Sequence, residues 1–176
     1  MRVISGKYKG KKLIGFDIDG TRPTMDRVKE SIFSMIQKDI LNKTVLDLFS
    51  GSGSLGIEAI SNKASMCYFV DNNKLLIDII RKNTTNMNGV NIIKDDYKNA
   101  LIYFKNNNIK FDIIFLDPPY KFKLINDSIN KIHEYDLLNK GGIIVCEYEI
   151  EDVDTDYYTL IKEKRYGSKF VKIYKY

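Results

Sequence analysis

Residues 44–56 read TVLDLFSGSGSLG. Thr44 to Phe49 is a β-rich run that ends in an acid and an aromatic, and from Gly51 the chain spells G-x-G-x-x-G through Gly53 and Gly56. Glycines at this spacing let backbone approach a ligand where Cβ atoms would block it, and the helix that follows offers amide donors at its N-terminus. Strand, glycine loop and helix in that order form the first unit of a parallel α/β sheet. Asp71 closes the next β-rich run, MCYFVD, at the place where a carboxylate accepts the hydroxyls of an adenosine ribose.

Beyond this unit, β-rich runs at 90–94 (VNIIK), 111–117 (FDIIFLD) and 142–148 (GIIVCEY) alternate with segments of helical period at 54–62, 73–86, 96–106 and 122–135. That alternation predicts a parallel sheet covered by helices on both faces. In the segment 73–86, Leu75, Leu76, Ile79 and Ile80 form the expected apolar face, with Asp78, Arg81 and Lys82 pointing away. The chain ends in two β-rich runs around Gly167 and Ser168, a C-terminal antiparallel hairpin. Upstream, residues 1–14 read as short strands with turns at Gly6 and Gly10. A helix follows over 25–40, where Val28, Ile32, Phe33, Ile36 and Ile40 share a face and Thr24 is its candidate cap. The predicted fold is a doubly wound, mostly parallel seven-stranded sheet, Rossmann-like, with a small N-terminal β extension. Two parts are expected: a basic extension and loop over 1–23 and the α/β domain over 24–176.

The length of 176 residues suits one domain, and no apolar run approaches the roughly 18 residues of a membrane span. The start, MRVISGKYKGKK, lacks the apolar stretch of a secretory signal, so the protein is read as cytoplasmic, with no membrane partner, and as a monomer. Cys67 and Cys146 stand alone in apolar runs and read as buried thiols, and no metal cluster is visible. Net charge is +5, and residues 1–12, with Arg2, Lys7, Lys9, Lys11, Lys12 and no acid, account for the whole excess. A basic arm interleaved with Tyr8 and glycines is how a polyanion-binding segment reads; a solvated edge hairpin has the same composition.

Two ligand classes place an adenosine ribose on a second-strand acid, nicotinamide dinucleotides and S-adenosylmethionine. Asp47, immediately before the glycine loop, would repel a pyrophosphate and would welcome an amino-acid ammonium. Asp96, beyond the third strand, suits an adenine amino group, and Asp95 and Asp96 equally suit a helix N-cap. At the fourth strand the chain reads FLDPPY, residues 115–120, which holds two of its three prolines. Proline stops a central strand and leaves a stiff backbone with unpaired carbonyls beside Asp117 and the ring of Tyr120. His133 reads as a surface or packing residue, and Glu147 and Glu149 as charges at a strand end.

Together DLFSGSG, Asp71 and LDPPY resemble the class I S-adenosylmethionine-dependent methyltransferases that act on exocyclic amines, whose signature is [DNS]-P-P-[YFW]. Within them, MRVISGKYKGKKL, TRPTMDRVKESIF, DLFSGSGSLGIEA and KRYG are similar to the RsmD type of 16S rRNA guanine-N2 methyltransferase, over nearly the whole chain. The segment from Leu13 to Arg22 is shorter than in that family, and Asp71 stands where the family often has Glu. The resemblance implies methyl transfer from S-adenosylmethionine to the N2 of a guanine in 16S rRNA or the 30S particle. It implies Asp117, Pro118, Pro119 and Tyr120 at the reacting base, and Asp47, Phe49, Gly51, Gly53, Asp71 and Asp96 at the cofactor. Lys7, Lys9, Lys11, Lys12, Arg22 and Arg27 are the expected RNA contacts, with Lys29 next in line. The rival readings are an adenine-N6 nucleic-acid methyltransferase, a nicotinamide oxidoreductase and a non-catalytic ribosome-assembly protein.

Overall fold

In the computed structural model, which describes residues 1–15, 26–119 and 122–176, the β-rich runs assemble into one seven-stranded sheet. Arg22, Thr24 and Tyr120 lie outside the described residues. Helix α1 (Asp26–Ile36) and a short 3-10 turn (Gln37–Asp39) lead into β1 (Thr44–Asp47), followed by α2 (Ser54–Ser61), β2 (Met66–Asp71), α3 (Lys74–Asn83) and β3 (Val90–Lys94). Then come α4 (Tyr97–Asn106), β4 (Phe111–Leu116), α5 (Ile125–Glu134), β5 (Leu138–Tyr148), β6 (Thr159–Tyr166) and β7 (Lys169–Lys175). The order is β3-β2-β1-β4-β5-β7-β6, with β1 to β5 parallel and β7 antiparallel to both of its neighbours. The C-terminal hairpin therefore sits at one edge, as expected. No helix among the described residues is long and apolar enough to cross a membrane.

Side-chain alternation divides the core by sheet face. Val45, Cys67, Phe69, Ile113, Phe115, Ile143 and Val145 pack with α1, α2 and α3; Leu46, Val70, Ile114, Leu116, Ile144 and Cys146 pack with α4 and α5. Cys67 and Cys146 are buried free thiols. In α1 the expected face of Val28, Ile32, Phe33 and Ile36 is buried, and so is Ile40 just beyond it.

Three expectations shift. In α3 the buried set is Leu76, Ile77, Ile79 and Ile80, whereas Leu75 is 57% exposed. Asn73 caps the helix through Leu75 N, so Leu75 falls in the first turn on the solvent side. β5 begins at Leu138 rather than 142, because Leu138 pairs with Phe111 and a register shift absorbs the Gly141–Gly142 corner. Residues 1–14 form a single antiparallel bridge, Arg2 with Lys12, around tight turns instead of paired strands.

That N-terminal segment is docked, and Glu58 of α2 holds it. The Glu58 carboxylate accepts from Ile4 N (2.9 Å), Ser5 N (2.8 Å) and Ser5 Oγ (2.8 Å), with Lys29 Nζ of α1 at 3.5 Å. Lys7 N donates to Ser61 O at the end of α2, and an ideal Cβ on Gly6 would lie 2.0 Å from that same oxygen. With φ at +75°, only glycine fits there.

Candidate active site

The strand order reverses between β1 and β4, and in open α/β sheets the ligand crevice lies outside the carboxyl ends of the strands at that switch point. Four acids of this chain stand there. Asp47 ends β1 in register with Phe69 of β2 and Phe115 of β4, so Asp71 and Asp117 each follow two residues later on the flanking strands. The step of two keeps them on one sheet face, the face of α1 to α3. Leu116 pairs with Cys146, and that register continued by one residue sets Asp117 beside Glu147 where β4 and β5 end.

The glycine loop is built as the motif requires. Ser50 ties it to β2, donating through Oγ to Asp47 O (2.6 Å) and accepting there from Val70 N (2.9 Å). Gly51 and Gly53 take left-handed conformations, φ +54° and +81°. Gly56 lets α2 lie against the sheet: a Cβ there would sit 2.3 Å from the Phe69 ring. Asp47 is 2% exposed and accepts from Gly56 N in the first turn of α2 (2.9 Å). Burial pushes its carboxyl up to about 7, against the pull of that bond. Asp71 is half-buried, and its two oxygens accept from Gly51 N (3.0 Å) and Asn73 N (2.9 Å). Burial raises it as well, and these amides hold it back. Asp71 thus shapes the loop besides facing the crevice.

On the other side of β1, half-buried Phe49 meets Tyr97 at 5.3 Å between ring centroids, and Tyr97 donates to Asp127 Oδ2 (2.7 Å). This aromatic wall includes a residue, Tyr97, that the periodicity of 96–106 presented only as part of a helix. Asp96 caps α4 through Lys98 N (2.9 Å), while Asp95 accepts from Asp96 N and Asn99 Nδ2. Beyond β4, Pro118 is buried, and the carbonyl of Pro119 accepts from Phe122 N (3.2 Å).

Those of the expected basic residues that are described are spread along the arm and the start of α1. Lys7 and Lys9 are exposed on the arm, Lys7 N donating to Ser61 O at the C-terminal end of α2, Lys12 is exposed in the bridge with Arg2, Lys11 reaches Thr85 O, and Arg27 is exposed in the first turn of α1. Lys29 is no surface residue: it is 0% exposed and donates to Arg2 O (2.7 Å) and Ser54 Oγ (3.0 Å). Glu147 is likewise no solvated strand-end charge, since it is 1% exposed and paired with Lys169 Nζ at 2.6 Å. Glu149 meets Ser168, and His133 stacks on Tyr157 at the far side of α5, as a packing residue does.

Residues 1–175 match the family model described as conserved hypothetical protein 95, the RsmD family. The chain belongs to this family. It is an RsmD-type class I S-adenosylmethionine-dependent methyltransferase. A Bacillus subtilis protein described as a candidate rRNA methyltransferase, YlbH, is 39% identical over 99% of this chain and 98% of its own. The Haemophilus influenzae ribosomal RNA small subunit methyltransferase D is 32% identical over 99% of this chain and 93% of its own. A solved Escherichia coli structure, described as the candidate methyltransferase YhhF, matches with a TM-score of 0.85 at 26% identity over 99% of this chain and 96% of that one. The RsmD-type likeness thus runs from the docked arm through the glycine loop to the terminal hairpin.

Proposed function

We propose that this RsmD-type protein methylates the exocyclic N2 of a guanine in small-subunit ribosomal RNA, with S-adenosylmethionine as donor. The observation that carries the reading is the D-P-P turn placed beside the glycine loop at the switch point. The donor set fits the cofactor: buried Asp47 and half-buried Asp71 line the loop, an arrangement hostile to a pyrophosphate and suited to an ammonium and a ribose. Asp71 accepts the ribose hydroxyls, Asp47 faces the ammonium, Asp96 takes the adenine amino group, and Phe49, packed on Tyr97, gives the crevice an apolar wall. When bound, S-adenosylmethionine supplies an electrophilic methyl group.

The rest falls to the chain's own residues. An exocyclic guanine nitrogen is a poor nucleophile because its lone pair is delocalised into the ring. Asp117 accepts one N–H and the Pro118 carbonyl the other, which pyramidalises the nitrogen and aims its lone pair. Two proline rings keep that carbonyl still. Tyr120 stacks on the flipped base. Asp117 need not be a strong base, since the nitrogen becomes acidic only once alkylated. Residues 1–23 serve as the RNA-directed extension of a domain spanning 24–176, with Lys7, Lys9, Lys11, Lys12, Arg22 and Arg27 on phosphates. Such a substrate belongs to the cytoplasm.

The direct test is methylation of 30S particles and free rRNA from a strain lacking this enzyme, with mass-spectrometric mapping of the product. N2-methylguanine is expected; N6-methyladenine or no transfer overturns the reading. Calorimetry with S-adenosylhomocysteine tests the cofactor residues. Losing hydrogen bonds to a charged group costs about 1.5–3 kcal/mol each, so Asp71→Ala is expected to weaken binding about tenfold or more. In the parent, the ligand's ammonium favours ionised Asp47, whose carboxyl stands near 7 without it. Binding therefore releases a proton below that pH, and affinity falls by up to about tenfold per unit as pH drops from 7. An affinity flat from about pH 5.5 to 8 removes Asp47 from the ammonium site.

A further inference from the structure

Glu147 and Lys169 form an ion pair of 2.6 Å in which both side chains are at least nine-tenths buried, at 1% and 9% exposure. Replacing such a pair by apolar side chains is often neutral or stabilising, so stability alone does not account for it. Its position does. Glu147 follows Cys146, which is in register with Leu116, so the pair adjoins Asp117 on the next strand, about 4.8 Å away across the sheet. Lys169 lies on β7, the neighbour of β5 on the other side, two residues before Val171, the partner of Glu147. Val145, Val171 and Phe115 all belong to the core on the α1–α3 face. The alternation therefore places Asp117, Glu147 and Lys169 on one face in strand order β4, β5, β7.

We propose that Glu147 and Lys169 determine specificity by reading the Watson–Crick edge of the target guanine. The inference rests on guanine N2 as the methylated atom and names how that base is chosen. The array runs acceptor, acceptor, donor. Guanine presents the complement in the same order: the N2 amine to Asp117, N1–H to Glu147 and O6 to Lys169. Adenine sets an acceptor, N1, against Glu147 and an amine against Lys169, two mismatches in a site where burial makes an unmatched polar group costly. Lys169 Nζ, donating to Glu147 Oε1 at 2.6 Å, fixes that carboxylate in place, so the acceptor is positioned when the base arrives.

The test uses an rRNA fragment carrying the mapped position, synthesised with guanine or 2-aminopurine there. 2-Aminopurine keeps the reacting amine but lacks O6 and has an acceptor at N1. The parent is expected to prefer guanine in kcat/KM by about tenfold to a hundredfold, the range of one or two lost base-edge contacts. Lys169→Met should lose activity on guanine and bring the ratio toward one. Glu147→Gln, whose amide donates to an N1 acceptor, should raise activity on 2-aminopurine, a gain that a merely structural residue cannot give. S-adenosylhomocysteine calorimetry on each variant reports whether the fold is intact. A measurement on the parent alone stands if neither variant folds: RNA with inosine at the position, which keeps N1–H and O6, should compete better than RNA with 2-aminopurine. Guanine left unmethylated by the parent refutes the functional reading and this inference with it. Methylated guanine with equal rates on both bases, or with competition that ranks 2-aminopurine above inosine, overturns the inference alone. So does a guanine preference unchanged in both folded variants.

Discussion

Replacing Asp117 with alanine is expected to lower the turnover of rRNA methylation by about a hundredfold or more, the scale of removing one preorganised polar partner from a reacting centre. Affinity for S-adenosylhomocysteine should stay within about a fewfold of the parent's. The split follows from position. Asp117 leaves the end of β4 and is flanked by buried Leu116 and Pro118, while the glycine loop proposed for the cofactor is tied to Asp47 of β1 and Asp71 of β2. Asp117→Asn is the more discriminating variant. It keeps the shape and one acceptor oxygen, as the N-P-P form of the signature does, but loses the charge, so partial activity is expected above that of alanine. Parallel losses in turnover and cofactor affinity would mean that the proline segment after β4 had collapsed, and the assignment of Asp117 to the base would fall.

Much of this arrangement was legible in the chain because it is local. The glycine loop, the proline pair after β4 and the acid ending β2 are short patterns whose backbone demands can be read residue by residue. Helix phase was less secure. Leu75 reads as apolar and therefore inward, yet the Asn73 cap sets the turn so that Ile77 is the residue that packs. Buried charges were the least legible. Lys29 sits in a helical run beside Arg27 and Glu30 and reads as surface, and its partner Glu58 lies on another helix. Glu147 reads as a strand-end charge until the terminal hairpin folds back and sets Lys169 against it. In each case the partner is supplied by tertiary structure, and neither sequence spacing nor composition carries it.

The Glu58 contact is expected to give the largest stability effect in the molecule. Glu58→Ala removes the acceptor for Ile4 N, Ser5 N and Ser5 Oγ and leaves the Lys29 ammonium, already pushed down by burial, without its counter-charge. Breaking one side of a buried pair costs about 3–5 kcal/mol. At about 2–4 °C per kcal/mol for a chain of this size, Tm should fall by roughly 6–20 °C. The double variant Lys29→Met, Glu58→Leu should lose less than the sum of its single variants, because no charge is then stranded. Amides of residues 3–13 should lose hydrogen-exchange protection first, since the clasp is what fixes them to α2. The same geometry dictates how the arm's role in RNA binding has to be measured. Deleting residues 1–12 opens the Glu58 clasp from the other side and mixes a folding defect with a lost charge. Exposed Lys7, Lys9 and Lys12 can instead be changed to alanine with the clasp intact. If each meets a phosphate, the slope of log affinity against log salt flattens by about 0.7–0.9 per lysine while Tm holds. A Glu58→Ala protein that melts with the parent would show that the arm is held elsewhere. Unchanged salt slopes in the lysine variants would show that its charges only meet solvent.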